Sequence, residues 1–184
     1  MIPFNPSIHH RRSIRLKGYD YAQAGAYYVT LVTQHRACLF GKIIDGKFNP
    51  SEAGIMLEKW WYELPHKFPR VETDEFIVMP NHFHGIILIK DGADVRADLC
   101  VCPFPDANDP SLRGAHTGAP LPEIVQWFKT MTTNEYIRGV KHAGWLPFMG
   151  KLWQRNYYEH VIRNDDELNK IREYIIQNPD RWDE

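Results

Sequence analysis

The chain has 184 residues, of which 43% are hydrophobic and 24% charged, enough for one domain with a substantial core. Its 22 Lys and Arg nearly balance its 23 Asp and Glu. This balance excludes a uniformly basic polyanion binder and an acidic disordered tail. Three cysteines do not make a disulfide framework, and neither a secretory signal nor an apolar run long enough to span a membrane is present. We therefore expect a soluble protein of the cytoplasm.

The basic residues are concentrated in two segments, 1–19 and 136–158, that contain no acidic residue. The second segment also carries six aromatic residues. Cations hold phosphates and rings stack on bases, so these segments suggest where a nucleic acid would lie. A solvated face beside an aromatic core explains the same pattern. The basic residues are Arg11, Arg12, Arg15 and Lys17 in the first segment and Arg138, Lys141, Lys151 and Arg155 in the second.

The first half of the chain predicts strands, a hairpin and a helix. Residues 25–34 are β-branched and aromatic, which favours a strand, and Asp45-Gly46 within 39–48 indicates a tight hairpin. Ser51 is the expected N-cap of a helix that continues toward Pro65. Two further strands are predicted at 75–79 and 82–89, with Pro80-Asn81 as the turn between them.

The second half begins with a long loop or partly disordered insertion at 91–122, which is rich in Pro, Gly, Asp and Ala. Apolar spacing predicts a helix over 123–140, and residues 151–163 resemble a strand. Asp165 or Asp166 is the expected cap of a last helix that runs to Asn178 and stops at Pro179.

These elements predict an α+β fold in a single domain, 1–184. With the hairpin and the last helix set aside, their order is βαββαβ, the ferredoxin-like arrangement of helices on an antiparallel sheet. This fold supports RNA-binding modules, phosphotransfer enzymes and nucleases, so it does not decide the function.

His82-Phe83-His84 is the first motif that carries chemistry. In a strand, residues two apart point to the same face, so the two imidazoles project side by side. Neighbouring imidazoles suit a divalent metal. Two half-buried histidines satisfied by backbone carbonyls are the alternative interpretation of this motif.

The last helix adds a phenol and an amide. Leu168, Ile171 and Ile175 form its apolar face, and the helical period places Tyr174 and Asn178 on one ridge at the edge of that face. Two imidazoles, an amide oxygen and a phenol are sufficient for phosphodiester cleavage, with the metal polarising a phosphate oxygen and the phenolate attacking phosphorus. A boundary tyrosine and an asparagine before proline are the structural alternatives.

Here the sequence resembles a known family. VMPNHFHGIILI (78–89) and LWQRNYYEHVIRNDDELNKIREYIIQNP (152–179) are similar to the single-tyrosine HUH transposases, among them the REP-associated tyrosine transposases and similar insertion-sequence transposases. RRSIRLKGYDY (11–21) and the strand that follows it resemble the N-terminus of that group. The resemblance covers nearly the whole chain except the insertion.

The resemblance implies that His82 and His84 are metal ligands, that Tyr174 is the catalytic tyrosine and that Asn178 is the polar third ligand. Tyr157 and Tyr158 are rivals for the nucleophile, although stacking or packing is the role we favour for them. His160 is either an auxiliary ligand or a core histidine, and we favour the core.

The implied activity is metal-dependent nicking and joining of single-stranded DNA near a folded hairpin, through a 5′-phosphotyrosine. The implied cofactor is Mg²⁺ or Mn²⁺, and no nucleotide cofactor is expected because the sequence has no Walker-type loop. Arg11, Arg12, Arg15, Lys17, Lys151 and Arg155 are the candidate DNA-binding residues. A homodimer is one implied assembly, because in relatives a second subunit can supply the tyrosine helix.

Three alternatives remain open. The first is a catalytically inactive nucleic-acid-binding module of the same fold, although the chain lacks an RNP1-like run. The second is another phosphodiesterase built on paired histidine motifs, of which the chain has one. The third is a zinc site at Cys100-Val101-Cys102, whose spacing is wrong for a usual zinc knuckle.

Overall fold

The computed structural model describes residues 18–44, 47–91 and 119–182. Among these residues no helix is both long and apolar enough to cross a membrane. Several sequence predictions fall outside the described residues: the basic residues Arg11, Arg12, Arg15 and Lys17, the turn pair Asp45-Gly46, and most of the insertion, including Cys100 and Cys102.

Six strands and four helices make up the described part of the chain. In chain order they are β1 (Gly25–Val32), β2 (Gly41–Ile44), β3 (Lys47–Pro50), α1 (Glu52–Tyr62), α2 (Leu64–Lys67), β4 (Val71–Met79), β5 (His82–Ile89), α3 (Leu121–His142), β6 (Tyr158–Ile162) and α4 (Asp165–Ile176). Strands β2 and β3 form the predicted hairpin.

The main sheet has the strand order β4-β5-β1-β6, and every neighbouring pair is antiparallel. The α+β, βαββαβ prediction is therefore confirmed, and the sheet also matches the expected ferredoxin-like topology. Strands β5 and β1 lie in the centre, where each has a partner on both sides. Side chains of β5 are consequently enclosed between neighbouring strands and helices.

Alternation along the strands separates two apolar cores on opposite faces of the sheet. The larger core packs helices α1 and α3 against one face, with Tyr27, Val29 and Phe83 among its buried residues. The smaller core packs α4 against the other face through Leu168 and Ile175, as the apolar spacing of that helix predicts. Helix α4, which carries Tyr174, therefore covers the face opposite to α1 and α3.

The start of α1 agrees with the sequence prediction, whereas both ends of α4 differ from it. Ser51 caps α1 as predicted, since its hydroxyl accepts a hydrogen bond from the amide of Gly54. The cap of α4 is Asn164, whose side chain accepts from the amide of Glu167, so the prediction of Asp165 or Asp166 is wrong by one or two positions. Helix α4 ends at Ile176, and Asn178 begins a separate helical turn at Pro179–Arg181.

The strand predicted over 151–163 is shorter than expected, because only Tyr158–Ile162 pair with β1. The preceding residues run beside the end of β1, where Trp153 forms an isolated bridge with Thr33. Lys129 of α3 holds this segment by donating to the carbonyl oxygens of Gln154 at 2.7 Å and Arg155 at 3.3 Å. Backbone without regular β-pairing is stable here because its carbonyl oxygens accept hydrogen bonds from the Lys129 side chain.

Candidate active site

Strand β5 presents His82 and His84 on the face that α4 covers. The two ring centroids are 4.6 Å apart, while Phe83 between them is buried in the opposite core. His84 is buried and His82 half-buried. The strand periodicity thus places both imidazoles side by side, as predicted from the sequence.

Two hydroxyl groups of β1 hold the ring of His84. The antiparallel register pairs Thr30 directly with His84, and Tyr28 projects from the same face two residues earlier. The Nδ1 atom of His84 lies 2.7 Å from the Tyr28 hydroxyl and 2.8 Å from the Thr30 hydroxyl. These contacts fix the ring plane and engage Nδ1, so Nε2 is the nitrogen that a metal would use.

Both imidazoles are biased toward their neutral forms. Burial, together with the nearby His82, lowers the pKa of His84 to about 3. Burial also lowers the pKa of His82, against a side-chain hydrogen bond with Asn178 that raises it, and the charge of Arg36 adds to the lowering. Neutral imidazole is the form that binds metal ions.

Tyr174 lies on α4 beside these histidines. Its ring centroid is 5.7 Å from that of His84 and 6.4 Å from that of Tyr28, and 39% of the residue is exposed. Two residues earlier on the helix, Arg172 donates two hydrogen bonds to the carboxylate of Asp74 in β4. Asp74 lies at an irregularity in β4, where the pairing with β5 shifts, and this ion pair fixes α4 over the sheet.

Asn178 reaches the same site from beyond the end of α4. It is 7% exposed, and hydrogen bonding from its side chain raises the pKa of His82. A buried amide needs such a partner, because an unsatisfied polar group in the interior is costly. The structure therefore brings together the four residues that the sequence singled out: His82, His84, Tyr174 and Asn178.

Three of these residues, His82, His84 and Tyr174, form part of the lining of an open cleft of about 770 Å³. Arg36 and Lys42 add positive charge to its wall. Trp182 also lines the cleft and stacks on His82, with ring centroids 5.8 Å apart. A concave site with imidazoles, cations and flat rings is suited to a phosphodiester and its adjoining bases.

The rival tyrosines lie on different faces of the sheet. Tyr157 packs against the larger core, on the side of α1 and α3, and so faces away from the histidines. Tyr158 is 53% exposed on the histidine face, where its ring centroid lies 6.3 Å from that of Tyr28. Tyr157 packs against the core, as favoured from the sequence, whereas Tyr158 is exposed at the edge of the sheet.

His160 is not the core residue that we favoured. It is half-buried, and its Nε2 lies 2.7 Å from the Oε1 of Glu167 at the start of α4. Glu167 also accepts from the amide of Arg163, and this hydrogen bond is the main reason that its pKa is lowered. His160 is thus engaged by a carboxylate that fastens β6 to α4.

Of the predicted DNA-binding residues, Lys151 and Arg155 are described and both are exposed. They flank the segment that crosses the end of β1, next to the turn that carries Arg36. Burial, together with the charge of Lys151, lowers the pKa of Lys129 to about 8. Because His82 pairs with Val32 at the last position of β1, the basic segment that crosses this end of β1 lies at the same end of the sheet as His82.

A divalent metal would find three neutral donors here: two imidazole nitrogens and one amide oxygen. In the described ranges, no group of three or more His, Cys, Asp or Glu side chains is placed to hold a metal ion. The His82, His84 and Asn178 set fits a divalent cation that completes its shell with water and anionic phosphate oxygens. Because the protein supplies no carboxylate to this set, we expect the metal to bind more tightly with a phosphodiester present.

Sequence reasoning missed several residues that shape the site, namely Tyr28, Thr30, Arg36, Lys42, Asp74, Asn81, Arg172 and Trp182. One signal could have found Tyr28 and Thr30. In a ferredoxin-like sheet β1 lies beside the HxH strand, so alternate residues of β1 share a face with the histidines. The positions of Arg36, Asp74 and Trp182 depend on a turn, a bulge and the chain end, for which local periodicity gives no signal.

No family model matches the chain. A Haemophilus influenzae protein, described only as uncharacterized, is 36% identical over 181 residues, which cover 98% of this chain and 94% of that protein. Among solved structures, a REP-associated tyrosine transposase bound to a REP hairpin superposes with a TM-score of 0.57 at 18% identity, over 92% of this chain and 73% of that chain. A proposed transposase from Deinococcus radiodurans has a TM-score of 0.45 at 17% identity, over 90% of this chain and 98% of that one.

At 18% identity the superposition establishes a shared fold. The likeness to the Haemophilus protein extends along nearly the full length of both sequences. The chain therefore belongs to one family with that Haemophilus influenzae protein, and its fold is that of the REP-associated tyrosine transposase.

Proposed function

We propose that this protein is a metal-dependent enzyme of the transposase type that nicks and joins single-stranded DNA through Tyr174. The observation that carries the proposal is the placement of an exposed tyrosine 5.7 Å, between ring centroids, from one of two adjacent imidazoles in an open cleft. An exposed phenol next to neutral imidazoles suits covalent attack on a metal-bound phosphodiester. The fold shared with a tyrosine transposase is consistent with it.

His82, His84 and Asn178 are the proposed ligands of a bound Mg²⁺ or Mn²⁺. The metal would supply positive charge to a non-bridging phosphate oxygen and so favour charge build-up at phosphorus. Tyr28 and Thr30 keep the ring of His84 in place, and burial keeps both histidines neutral at neutral pH. Imidazole ligands favour Mn²⁺, whereas cellular abundance favours Mg²⁺.

In the proposed step, the Oη atom of Tyr174 attacks phosphorus and forms a new O–P bond. The bond between phosphorus and the 3′ oxygen breaks, and a proton equivalent to the one lost by the phenol ends on that 3′ oxygen. The products are a 5′-phosphotyrosine and a free 3′-hydroxyl. One phosphodiester replaces another, so attack by a 3′-hydroxyl on the phosphotyrosine rejoins a strand without ATP.

The proposed substrate is single-stranded DNA adjoining a hairpin. Arg36 and Lys42 line the cleft, and Lys151 and Arg155 are exposed at the same end of the sheet, where they would hold the strand's phosphates. Arg11, Arg12, Arg15 and Lys17 are proposed to hold the hairpin on the ground of charge alone.

We also propose that the enzyme acts in the cytoplasm, and that a homodimer is one assembly it can form.

The test is covalent capture on a denaturing gel. The protein is incubated with a labelled hairpin carrying a single-stranded flank and Mn²⁺ or Mg²⁺, and the mixture is then denatured. We expect a shifted protein–DNA band that is lost with chelator, with Tyr174→Phe and with His82→Ala. Tyr62→Phe is the matched control, because Tyr62 is 59% exposed on α1 and lies on the other side of the sheet.

Two results would contradict the proposal in different ways. A band that survives Tyr174→Phe and is lost with Tyr158→Phe would move the nucleophile to β6. DNA binding with no covalent band for the wild type, in either metal, would instead support the inactive binding module.

A further inference from the structure

Asn81, in the turn that joins β4 to β5, contacts both a proposed metal ligand and a segment that lines the cleft. Its side-chain Oδ1 lies 2.7 Å from Nδ1 of His82, and its Nδ2 donates to the carbonyl oxygen of Arg36 at 3.3 Å. Since a carbonyl oxygen cannot donate, the contact with Arg36 sets which way the amide faces. Oδ1 then faces His82, whose Nδ1 must carry the hydrogen, so Nε2 keeps its lone pair for a ligand.

The backbone of Asn81 holds the same neighbouring segment. Its carbonyl oxygen accepts from the amide of Thr33 at 2.9 Å and from the Thr33 hydroxyl at 3.0 Å. Thr33 comes directly after β1 and begins the turn Gln34–Arg36. Side chain and backbone of one residue therefore fasten both ends of this turn.

The turn needs such support because its backbone is strained. His35 has a φ of 59° and Arg36 a φ of 54°, both in the left-handed region that residues with a side chain rarely adopt. Such conformations persist where the surroundings hold them and are frequent at functional sites. Here the strained turn brings Arg36 to the lining of the cleft that contains His82.

We propose that Asn81 is a positioning residue that couples the two halves of this site. It keeps His82 in the Nδ1–H tautomer, with Nε2 available to the metal, and it holds the left-handed turn that presents Arg36 to the phosphate of the bound strand. The metal part of this inference rests on the proposed function. The tautomer and the turn are properties of the metal-free protein and are tested separately.

The experiment uses Asn81→Ala and Asn81→Asp in the full chain. Asn81→Ala removes both side-chain contacts, whereas Asn81→Asp keeps the acceptor for His82 and loses the donor to Arg36. Asn134→Ala is the matched control, since Asn134 is exposed on α3. Circular dichroism and thermal unfolding establish that each variant is folded.

Two readouts are taken without metal at neutral pH. Long-range ¹⁵N–¹H NMR of the His82 ring is expected to show the Nδ1–H tautomer in the wild type and in Asn81→Asp, and a shift toward Nε2–H in Asn81→Ala. Amide hydrogen exchange at Arg36 and Ala37 is expected to be faster in both variants than in the wild type. A His82 tautomer unchanged by Asn81→Ala, or unchanged exchange at the turn, would overturn the proposal.

Calorimetric titration with Mn²⁺ adds the metal readout. Loss of a hydrogen-bond partner of a ligating histidine lowers metal affinity about 10- to 100-fold, so we expect a fall in this range for Asn81→Ala and a smaller one for Asn81→Asp. Equal affinities for Asn81→Ala and wild type would contradict the coupling. If the wild type binds no Mn²⁺, the metal assignment fails, and the tautomer and exchange results still decide the role of Asn81.

Discussion

The carboxylate of Asp74 and the guanidinium of Arg172 form a two-point hydrogen bond that joins strand β4 to helix α4. The contact lies on the helix two positions before Tyr174, and on the strand at the irregularity between Thr73 and Phe76. Helix α4 is otherwise held mainly by the small apolar core around Leu168 and Ile175. Because planar pairing restricts both side chains, this ion pair sets where along the sheet Tyr174 lies.

Replacement of Arg172 by methionine tests this contact. Methionine keeps the helix propensity and the aliphatic stem but leaves Asp74, which is 12% exposed in its side chain, without its guanidinium partner. We expect the free energy of unfolding at neutral pH to fall by about 2 kcal/mol, the size typical of a hydrogen bond to a charged group. Urea denaturation measures it, with Lys170→Met on the same helix as the control.

The same pair predicts a pH dependence. Arg172 holds the pKa of Asp74 below its ordinary value, mainly through the side-chain hydrogen bond. A carboxyl with a lowered pKa stabilises the folded state above its unfolded pKa, about 3.9, and this stabilisation is lost as the pH falls through the folded value. The difference in unfolding free energy between wild type and Arg172→Met should therefore narrow below about pH 3.9. A difference that is independent of pH would contradict this account.

The hydroxyls around His84 give a prediction about metal affinity. Tyr28→Phe and Thr30→Val each remove one contact to Nδ1, and the double variant removes both. We expect the double variant to bind Mn²⁺ about 10- to 100-fold more weakly. The losses in binding free energy of the two single variants should not add up to that of the double variant, because both hydroxyls contact the same Nδ1 atom. Calorimetric titration in the presence of single-stranded DNA measures the affinities.

The control for that series is Tyr27→Phe. Tyr27 is the neighbouring tyrosine in β1, but it faces the opposite core, where its hydroxyl donates to the carbonyl oxygen of Gln23. Its removal is expected to lower stability without changing the metal affinity of the folded protein. A metal affinity that falls equally in Tyr27→Phe and in the double variant would assign the effect to general loosening of β1.

The exposed cations Lys151 and Arg155 predict a change in the salt dependence of DNA binding. Each phosphate neutralised on single-stranded DNA contributes about 0.7 to the slope of log affinity against log salt concentration. Replacement of both residues by glutamine should reduce the slope by about that amount for each phosphate that is no longer neutralised, as measured by fluorescence anisotropy over a salt series. Lys67→Gln, on α2, is the control. An unchanged slope would remove this segment from the DNA-binding surface.

Much of the fold could be predicted because the signals are local. The alternation of β5 side chains between the two faces of the sheet, the cap at Ser51 and the apolar face of α4 depend on residues close in the chain, and the structure bears these predictions out. The arrangement βαββαβ follows from their order. The strand prediction is wrong for 151–157 because these residues have strand-like composition, whereas their backbone is held by Lys129 and by the end of β1.

The surroundings of the site could be predicted much less well. His82, His84 and Tyr174 can be recognised in the sequence by their residue types and their spacing. The partners of these residues, however, are set by pairing across the sheet. Thr30 meets His84 through a register between residues 54 positions apart, and Asp74 meets Arg172 across 98 positions. The tie between Asn81 and the strained turn likewise depends on two chain segments that meet only in the folded protein.

The identity of the residue that becomes linked to DNA tests the central claim most directly. Trypsin would release Tyr174 in the peptide 173–181, which contains one tyrosine, and Tyr157 with Tyr158 in the peptide 156–163. After incubation with Mn²⁺ and hairpin DNA, nuclease digestion and tryptic cleavage, mass spectrometry should find the nucleotide adduct on 173–181. An adduct on 156–163 instead, or no adduct on any tyrosine of the metal-loaded protein, would contradict the assignment of Tyr174 as the nucleophile.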